Sequence, residues 1–229
     1  MKNLNAPLSL FLLVIILLAG CIKDDFIDDR VDPVLRFISS IDTIEVDTDF
    51  QLEAMYLNNV GQQETQTLIW NSDQPEILTV SSTGLVRAIS AGTAIVSVSF
   101  ETEEGIMISD QMNITVGANT VMIIEEKSGS IRTTSSYTLE GDFTLQEIDG
   151  NLLIEVAENY RASANLPGLY IYLTNNPTTT ADALEIGPVE VFNGEHSYEI
   201  PNVGVSDYQY LLYFCKPFNI KVGDGEVTD

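Results

Sequence analysis

Three side chains in this 229-residue chain are of types that could do covalent or redox chemistry: Cys21, Cys215 and the single histidine, His196. A thiolate can accept an acyl group, exchange electrons, ligate haem iron or form a mixed disulfide; an imidazole can move protons near neutral pH or bind a metal. Two cysteines and one histidine cannot build a protein-only Cys/His zinc site, and no Cys-x-x-Cys-His stretch exists for covalent haem attachment. No Gly-x-Ser-x-Gly elbow or defensible Ser-His-Asp set is present, and carboxylates are too abundant to single out a glycosidase pair. No catalytic residue is therefore assigned. The 34 acids against 10 bases give a formal charge of −24, which repels phosphate and excludes nucleic acid as a partner. With 45% hydrophobic residues, that charge must decorate folded units rather than keep the chain unfolded.

Around Cys21 the chain reads as an address. Met1 to Cys21, MKNLNAPLSLFLLVIILLAGC, has a basic Lys2, an apolar run from Leu8 to Leu18 and then small residues, the build of a secretory signal too short for a permanent span. Its ending, Leu18-Ala19-Gly20-Cys21, resembles the lipobox of bacterial lipoproteins. The resemblance implies cleavage before Cys21 and acylation of its thiol and new amine, with acyl chains holding the protein on a membrane. Ile22, rather than an aspartate, follows the cysteine, which implies the outer membrane; Lys23-Asp24-Asp25 resembles a surface-export signal. Residues 21–34 are otherwise an acidic tether with little to bury, and their aspartates lack the spacing of an EF-hand loop.

Beyond the tether, the elements that must position any chemistry are strands. Phe50, Leu52, Ala54 and Tyr56 alternate with polar neighbours, as do Ala94, Val96 and Val98, and then Met112, Ile114 and Val116. Turn residues punctuate them at Asn58 to Gly61, Ser81 to Gly84 and Glu103 to Gly105. Residues 66–98, QTLIWNSDQPEILTVSSTGLVRAISAGTAIVSV, resemble the group-two bacterial immunoglobulin-like domains, and the likeness extends over 35–117. It implies an adhesion or spacer module without an active site. Trp70 is expected in the core between two sheets, and Gly84 and Gly92 in tight turns.

The rest, 118–229, is strongly acidic too, with 17 acids against 5 bases. Its patterning predicts strands over 137–143, 151–156, 169–174, 187–192, 196–200, 208–215 and 218–222 and no helix. Gly141-Asp142-Phe143 with Asp149-Gly150-Asn151-Leu152, the Leu166-Pro167-Gly168-Leu169 strand entry, Tyr198-Glu199-Ile200-Pro201 and Tyr213-Phe214-Cys215-Lys216-Pro217 together resemble the DM-thirteen domain, described as a candidate electron-transfer module. The usual alanine after Gly223 is Asp224 here. The expected architecture is all-β: two β-sandwich domains in series, behind a signal peptide at 1–20 and the tether at 21–34.

With Cys21 acylated, Cys215 has no intrachain disulfide partner. Period two puts Leu211, Tyr213 and Cys215 on one face of its strand and Tyr210, Leu212, Phe214 and Lys216 on the other. Both faces are apolar, which predicts a central strand closed by Pro217. Two readings stand: a small buried hydrophobe, inert among apolar neighbours, or the redox or cofactor-contacting residue that the DM-thirteen resemblance implies. The residues name no cofactor, although haem could take Cys215 or His196 as a ligand; for His196 the plain reading is a solvent-facing hairpin residue. Two functions follow. One is a lipid-anchored outer-membrane, surface-exposed protein whose immunoglobulin-like spacer presents a terminal β domain to a surface protein or glycan; the other is an extracytoplasmic redox protein acting through Cys215.

Overall fold

The computed structural model describes residues 29–228, except 40, 124 and 149. Cys21, the signal peptide and most of the tether lie outside the described residues. The chain is all-β, and among the described residues its one helical turn is the 3-10 turn Lys216–Phe218.

Eleven strands make the first unit: β1 (Val34–Phe37), β2 (Ile41–Glu45), β3 (Asp49–Gln51), β4 (Ala54–Leu57), β5 (Gln63–Glu64), β6 (Ile69–Ser72), β7 (Leu78–Val80), β8 (Leu85–Ala88), β9 (Gly92–Glu101), β10 (Met107–Gly117) and β11 (Val121–Met122). They form sheets in the orders β1-β4-β5, β11-β2-β10-β9-β6 and β3-β8-β7. The long β9–β10 hairpin shows why these residues become strands. Ala94, Val96 and Val98 are buried while Thr93 and Ile95 face out, so one edge of the alternation enters the core with Ile44, Leu78, Val86 and Ile114. Each of the Val, Leu and Ile side chains removed from water contributes roughly 1.5–3 kcal/mol. Trp70 packs at the margin of this core rather than filling it, edge-on to Phe37 with centroids 5.8 Å apart. Gly84 closes the β7–β8 turn at φ +82°, where a Cβ would lie 2.6 Å from the Leu52 carbonyl oxygen.

The second unit holds β12 (Glu126–Thr133), β13 (Leu139–Ile148), β14 (Asn151–Val156), β15 (Arg161–Ala162), β16 (Leu169–Thr174), β17 (Leu184–Pro188), β18 (His196–Pro201), β19 (Tyr210–Cys215) and β20 (Ile220–Glu226). All nine belong to one sheet in the order β17-β16-β19-β20-β12-β13-β14-β18, with β15 on β13. Its two ends share one core: Ile154 and Ile200 from one end are clustered with Ile171 and Leu211 from the other, so the sheet curls on itself. A bulge at Val222 lets β20 pass from Lys221 to Gly223 against Phe214 and Tyr213 and turns Asp224 and Glu226 outward. The polar stretch Glu126–Thr133 is a full strand that alternation does not announce, because only Ile131 among its side chains is fully buried.

The two units meet through polar groups. Asn176 is buried, and its amide donates to the carbonyls of Asp29 and Val60. Gln62 donates to Asp182 at 2.6 Å, and Arg36 to Asn175 at 3.4 Å; burial lowers the Arg36 pKa to about 10, so it remains charged at neutral pH. Gly61, at φ +79°, lets the backbone approach: a Cβ there would lie 2.6 Å from the Asn175 carbonyl oxygen. Replacing Asn176 with alanine removes its bonds to the part-buried carbonyls of Asp29 and Val60, an expected loss of about 1 kcal/mol. Denaturant unfolding measures that loss, and amide exchange faster around Asn58–Gln62 than in the distant β9–β10 hairpin locates it at this contact.

Candidate functional site

Cys215 ends β19, which lies between β16 and β20 as a central strand. Leu211, Tyr213 and Cys215 enter the main core of the second unit, whereas Leu212 and Phe214 pack with Tyr172 on the other face. The period-two reading of this strand therefore holds on both faces. The thiol is free and 1% exposed, opposite Leu169 in one neighbouring strand and Ile220 in the other, and its Sγ lies 3.6 Å from the Pro167 carbonyl oxygen, a weak S–H donor contact. Lys216, on the other face, forms an ion pair with Glu185 at 2.7 Å and sits 4.6 Å over the Tyr170 ring. Its ammonium is thus engaged away from the sulfur.

These residues do not fit a haem site. Iron ligation by Cys215 requires an open volume at the sulfur, but the thiol is packed among aliphatic side chains and lines none of the four surface grooves described. His196 does not supply a ligand facing it: Nδ1 lies 3.0 Å from the Gly194 carbonyl oxygen, and Nε2 is buried beside Tyr160.

The position of His196 also corrects the sequence expectation. It opens β18 opposite Val156 and is half-buried, its ring between Tyr160 and Tyr198 at centroid distances of 4.8 and 5.3 Å. Pairing of β18 with β14 turns alternate side chains inward, and that pairing places the imidazole under the sheet rather than in solvent. Burial raises the pKa of Tyr160 and Tyr213, and that of Tyr198 to about 12. Below pH about 10 phenols are protonated in both folded and unfolded chains. Above it the unfolded chain releases protons that the folded core retains, so stability falls as pH rises from about 10 to 12. Denaturant midpoints across this range should decline, with a shallower slope in Tyr213→Phe; a flat wild-type profile contradicts the expectation.

Against the same strands lies a groove of about 970 Å³, and His196 is part of its lining. Asp142, Glu155, Glu195, Asp224 and Glu226 line it against the one guanidinium of Arg132. Hydroxyls of Ser130, Thr144 and Ser197 stand between the carboxylates, because cross-strand register aligns Ser130 with Asp142 and both Thr144 and Ser197 with Glu155. Asp142 is held on both oxygens: Ser130 donates to Oδ1 at 2.8 Å and Asn159 to Oδ2 at 2.7 Å, while the Asp142 amide donates back to Asn159. Those hydrogen bonds, the one from Ser130 first, lower its pKa. The acids are spread along the groove, and no three His, Cys, Asp or Glu side chains among the described residues converge as a metal site. Chemically, the groove is a row of carboxylate acceptors, Asp142 held in place among them, for hydroxyl or ammonium donors. Sequence patterning could assign Asp142 and Glu155 to outward positions, but it could not show that three strands bring them together.

Known proteins resemble the first unit. Residues 65–101 match the bacterial Ig-like domain (Big-like). The match runs from just before β6 to the end of β9, where the Trp70 strand and the Thr83-Gly84-Leu85-Val86 hairpin lie. Among solved structures, the crystal structure of the S-layer protein rSbsC(31-844) is 16% identical, with a TM-score of 0.30, over 85% of this chain and 27% of that one. The chain thus spans about a quarter of the length of that protein. No curated protein matches it.

Proposed function

We propose that the chain is a lipid-anchored protein of the outer membrane, exposed at the cell surface, in which the Ig-like unit presents the second β unit to a surface protein or glycan. The bacterial Ig-like match at residues 65–101 is the observation that carries this reading. Cys21 at the end of an apolar signal supplies the anchor, and residues 118–229 are a DM-thirteen-like domain that supplies the contact surface. The groove beside Asp142 suits such contact, since the Asp142 carboxylate is held in place before any partner arrives and other carboxylates line the groove with it. An electron-transfer role for Cys215 finds less support, because a sulfur 1% exposed and in contact with a carbonyl oxygen lacks the access that redox thiols need.

Metabolic labelling with a fatty acid, combined with protease treatment of intact cells, tests the reading. The wild-type chain should carry label and be cut from outside; Cys21→Ser should lose both label and surface placement. A wild-type chain that is unlabelled, or protected from protease in intact cells, refutes the anchoring. Asp142→Asn with Glu155→Gln should weaken retention of the protein on immobilised surface glycan or protein while leaving the thermal midpoint close to that of wild type.

A further inference from the structure

The chain enters its fold between the two units. The Asp29 carbonyl accepts from the buried Asn176 amide of the second unit at 2.5 Å, and the Val31 amide donates to the Asn59 carbonyl of the first at 2.9 Å. Around this point lie the 58–62 turn and the 175–182 loop, whose polar groups join the units into a seam. Asp29 stands eight positions after Cys21, and eight residues span at most about 28 Å even when fully extended. Whatever holds Cys21 therefore holds the protein by this seam.

Both units extend away from it. In the first, Tyr56 of β4 lies just before the 58–62 turn and packs on Phe100 at 4.9 Å between centroids, so the Glu101 and Met107 end of the β9–β10 hairpin is near the seam. The other end, where Gly92 pairs with Val116, lies eight residues from Phe100 along β9, roughly 27 Å. There the Val46 amide donates to the Gly117 carbonyl and the Asp47 amide to that of Ala88. In the second unit β19 begins at the seam, where the Gln209 amide donates to Asn175 Oδ1 and Tyr210 pairs with Thr174 and Glu226. It ends at Cys215, five residues and roughly 17 Å further on, and the turn beyond carries Phe218, 62% exposed. Charge favours the seam as the membrane side. The groove that runs along it is lined by Arg30, Arg36 and Lys127 against four carboxylates, whereas the whole chain carries 10 bases against 34 acids. Exposed Ile123 lines the same groove. Repulsion from anionic headgroups is thus weakest here.

We propose that the lipid bilayer faces the seam: the anchor leaves the protein between the two units, and both project from there, with the Phe218 turn of the second unit and the 46–48 turn of the first directed away from the membrane. The inference rests on the acylation of Cys21 proposed above. It changes what the Ig-like unit does. A spacer in series would have the anchor at the end of the first unit farthest from the second, and the second unit would stand above it. Here the first unit holds the second beside it, and both start at the same height. A partner then meets the second unit within that unit's own length of the tether, not beyond an intervening domain.

Energy transfer to the membrane tests the orientation. The full lipidated chain is placed in vesicles of phosphatidylethanolamine and phosphatidylglycerol that contain a rhodamine-headgroup lipid. A fluorescent donor is attached at one of four exposed positions: Asn59→Cys and Ala181→Cys at the seam, Asn119→Cys and Phe218→Cys at the far ends. Native Cys215, 1% exposed, does not compete for the label. Transfer should be strongest from the labels at 59 and 181 and fall at 119 and 218. Equal transfer from all four, as in a molecule lying flat, overturns the proposal. So does the order a spacer in series requires, with 119 nearest the membrane. Flotation of the same vesicles separates this from the anchoring: a wild-type chain that does not float, or a Cys21→Ser chain that floats equally well, overturns the anchor and the orientation with it. A chain that floats with the wrong order of transfer overturns the orientation alone. With two positions at each end, one variant that fails to fold leaves the comparison intact.

Discussion

Native Cys215 will react with a water-soluble disulfide reagent at least about a thousandfold more slowly than the same thiol in the denatured chain. The factor follows from the opening required: a sulfur 1% exposed at the end of a central strand is reached only when that strand separates from β16 or β20. Core strands open at close to the global unfolding free energy, about 5 kcal/mol or more for a folded domain, and every 1.4 kcal/mol is tenfold in population. In denaturant the thiol should react at once. Reaction within seconds under native conditions would place Cys215 among accessible redox thiols and restore the electron-transfer reading. Cys215→Ser puts a hydroxyl in the same aliphatic surroundings; only the Pro167 carbonyl oxygen stands near to take its hydrogen, at 3.6 Å from the present sulfur. The expected cost is about 1–3 kcal/mol. Cys215→Ala, which adds no polar atom, should cost less than the serine variant if the role of the sulfur is packing.

Gly129→Ala should disrupt the second unit more than any conservative change on its surface. A Cβ at Gly129 would collide with the carbonyl oxygen of Glu226 and with the Phe143 ring, and one at Gly225 would lie 2.6 Å from the same ring. The backbones of β12 and β20 therefore form a bare surface on which Phe143, 1% exposed, lies flat. A phenyl ring takes more room than the sheet otherwise allows, and the two glycines provide it. Phe143→Ala should cost about 3–5 kcal/mol through lost burial and the remaining cavity. The double variant Gly129→Ala with Phe143→Ala should be less destabilised than the sum of the two, since removing the ring relieves one of the collisions but not the one with Glu226. Additive losses in denaturant unfolding would show that the ring and the glycine do not share this space.

Much of the fold was legible from residue types because strand periodicity is local. The strands 151–156 and 169–174 read from alternation are the observed β14 and β16, and the Tyr210–Cys215 strand shows the same two buried faces that its period-two pattern predicts. Departures have physical reasons. The strand read at 187–192 lies earlier, at Leu184–Pro188, where it can pair with β16, and the one read at 218–222 begins only after a 3-10 turn with Pro217 near its start. The strand Glu126–Thr133 was hidden because its core face carries a glycine where a large apolar residue would have announced it.

Residue types in order along the chain were thus sufficient for an all-β chain, an acidic surface and an unpaired thiol on a two-faced strand; alternation and composition need no knowledge of neighbours. Fold-level pairing settled the rest. It turned His196 inward by matching β18 to β14, closed Phe143 over Gly129 and Gly225, and drew Asp142 to Asn159 and Ser130 along one groove. Each of these contacts joins residues from different strands or from a strand and a distant turn. Such contacts exist only after the sheet has chosen its order and register, since a one-residue slip would send every one of those side chains to the other face.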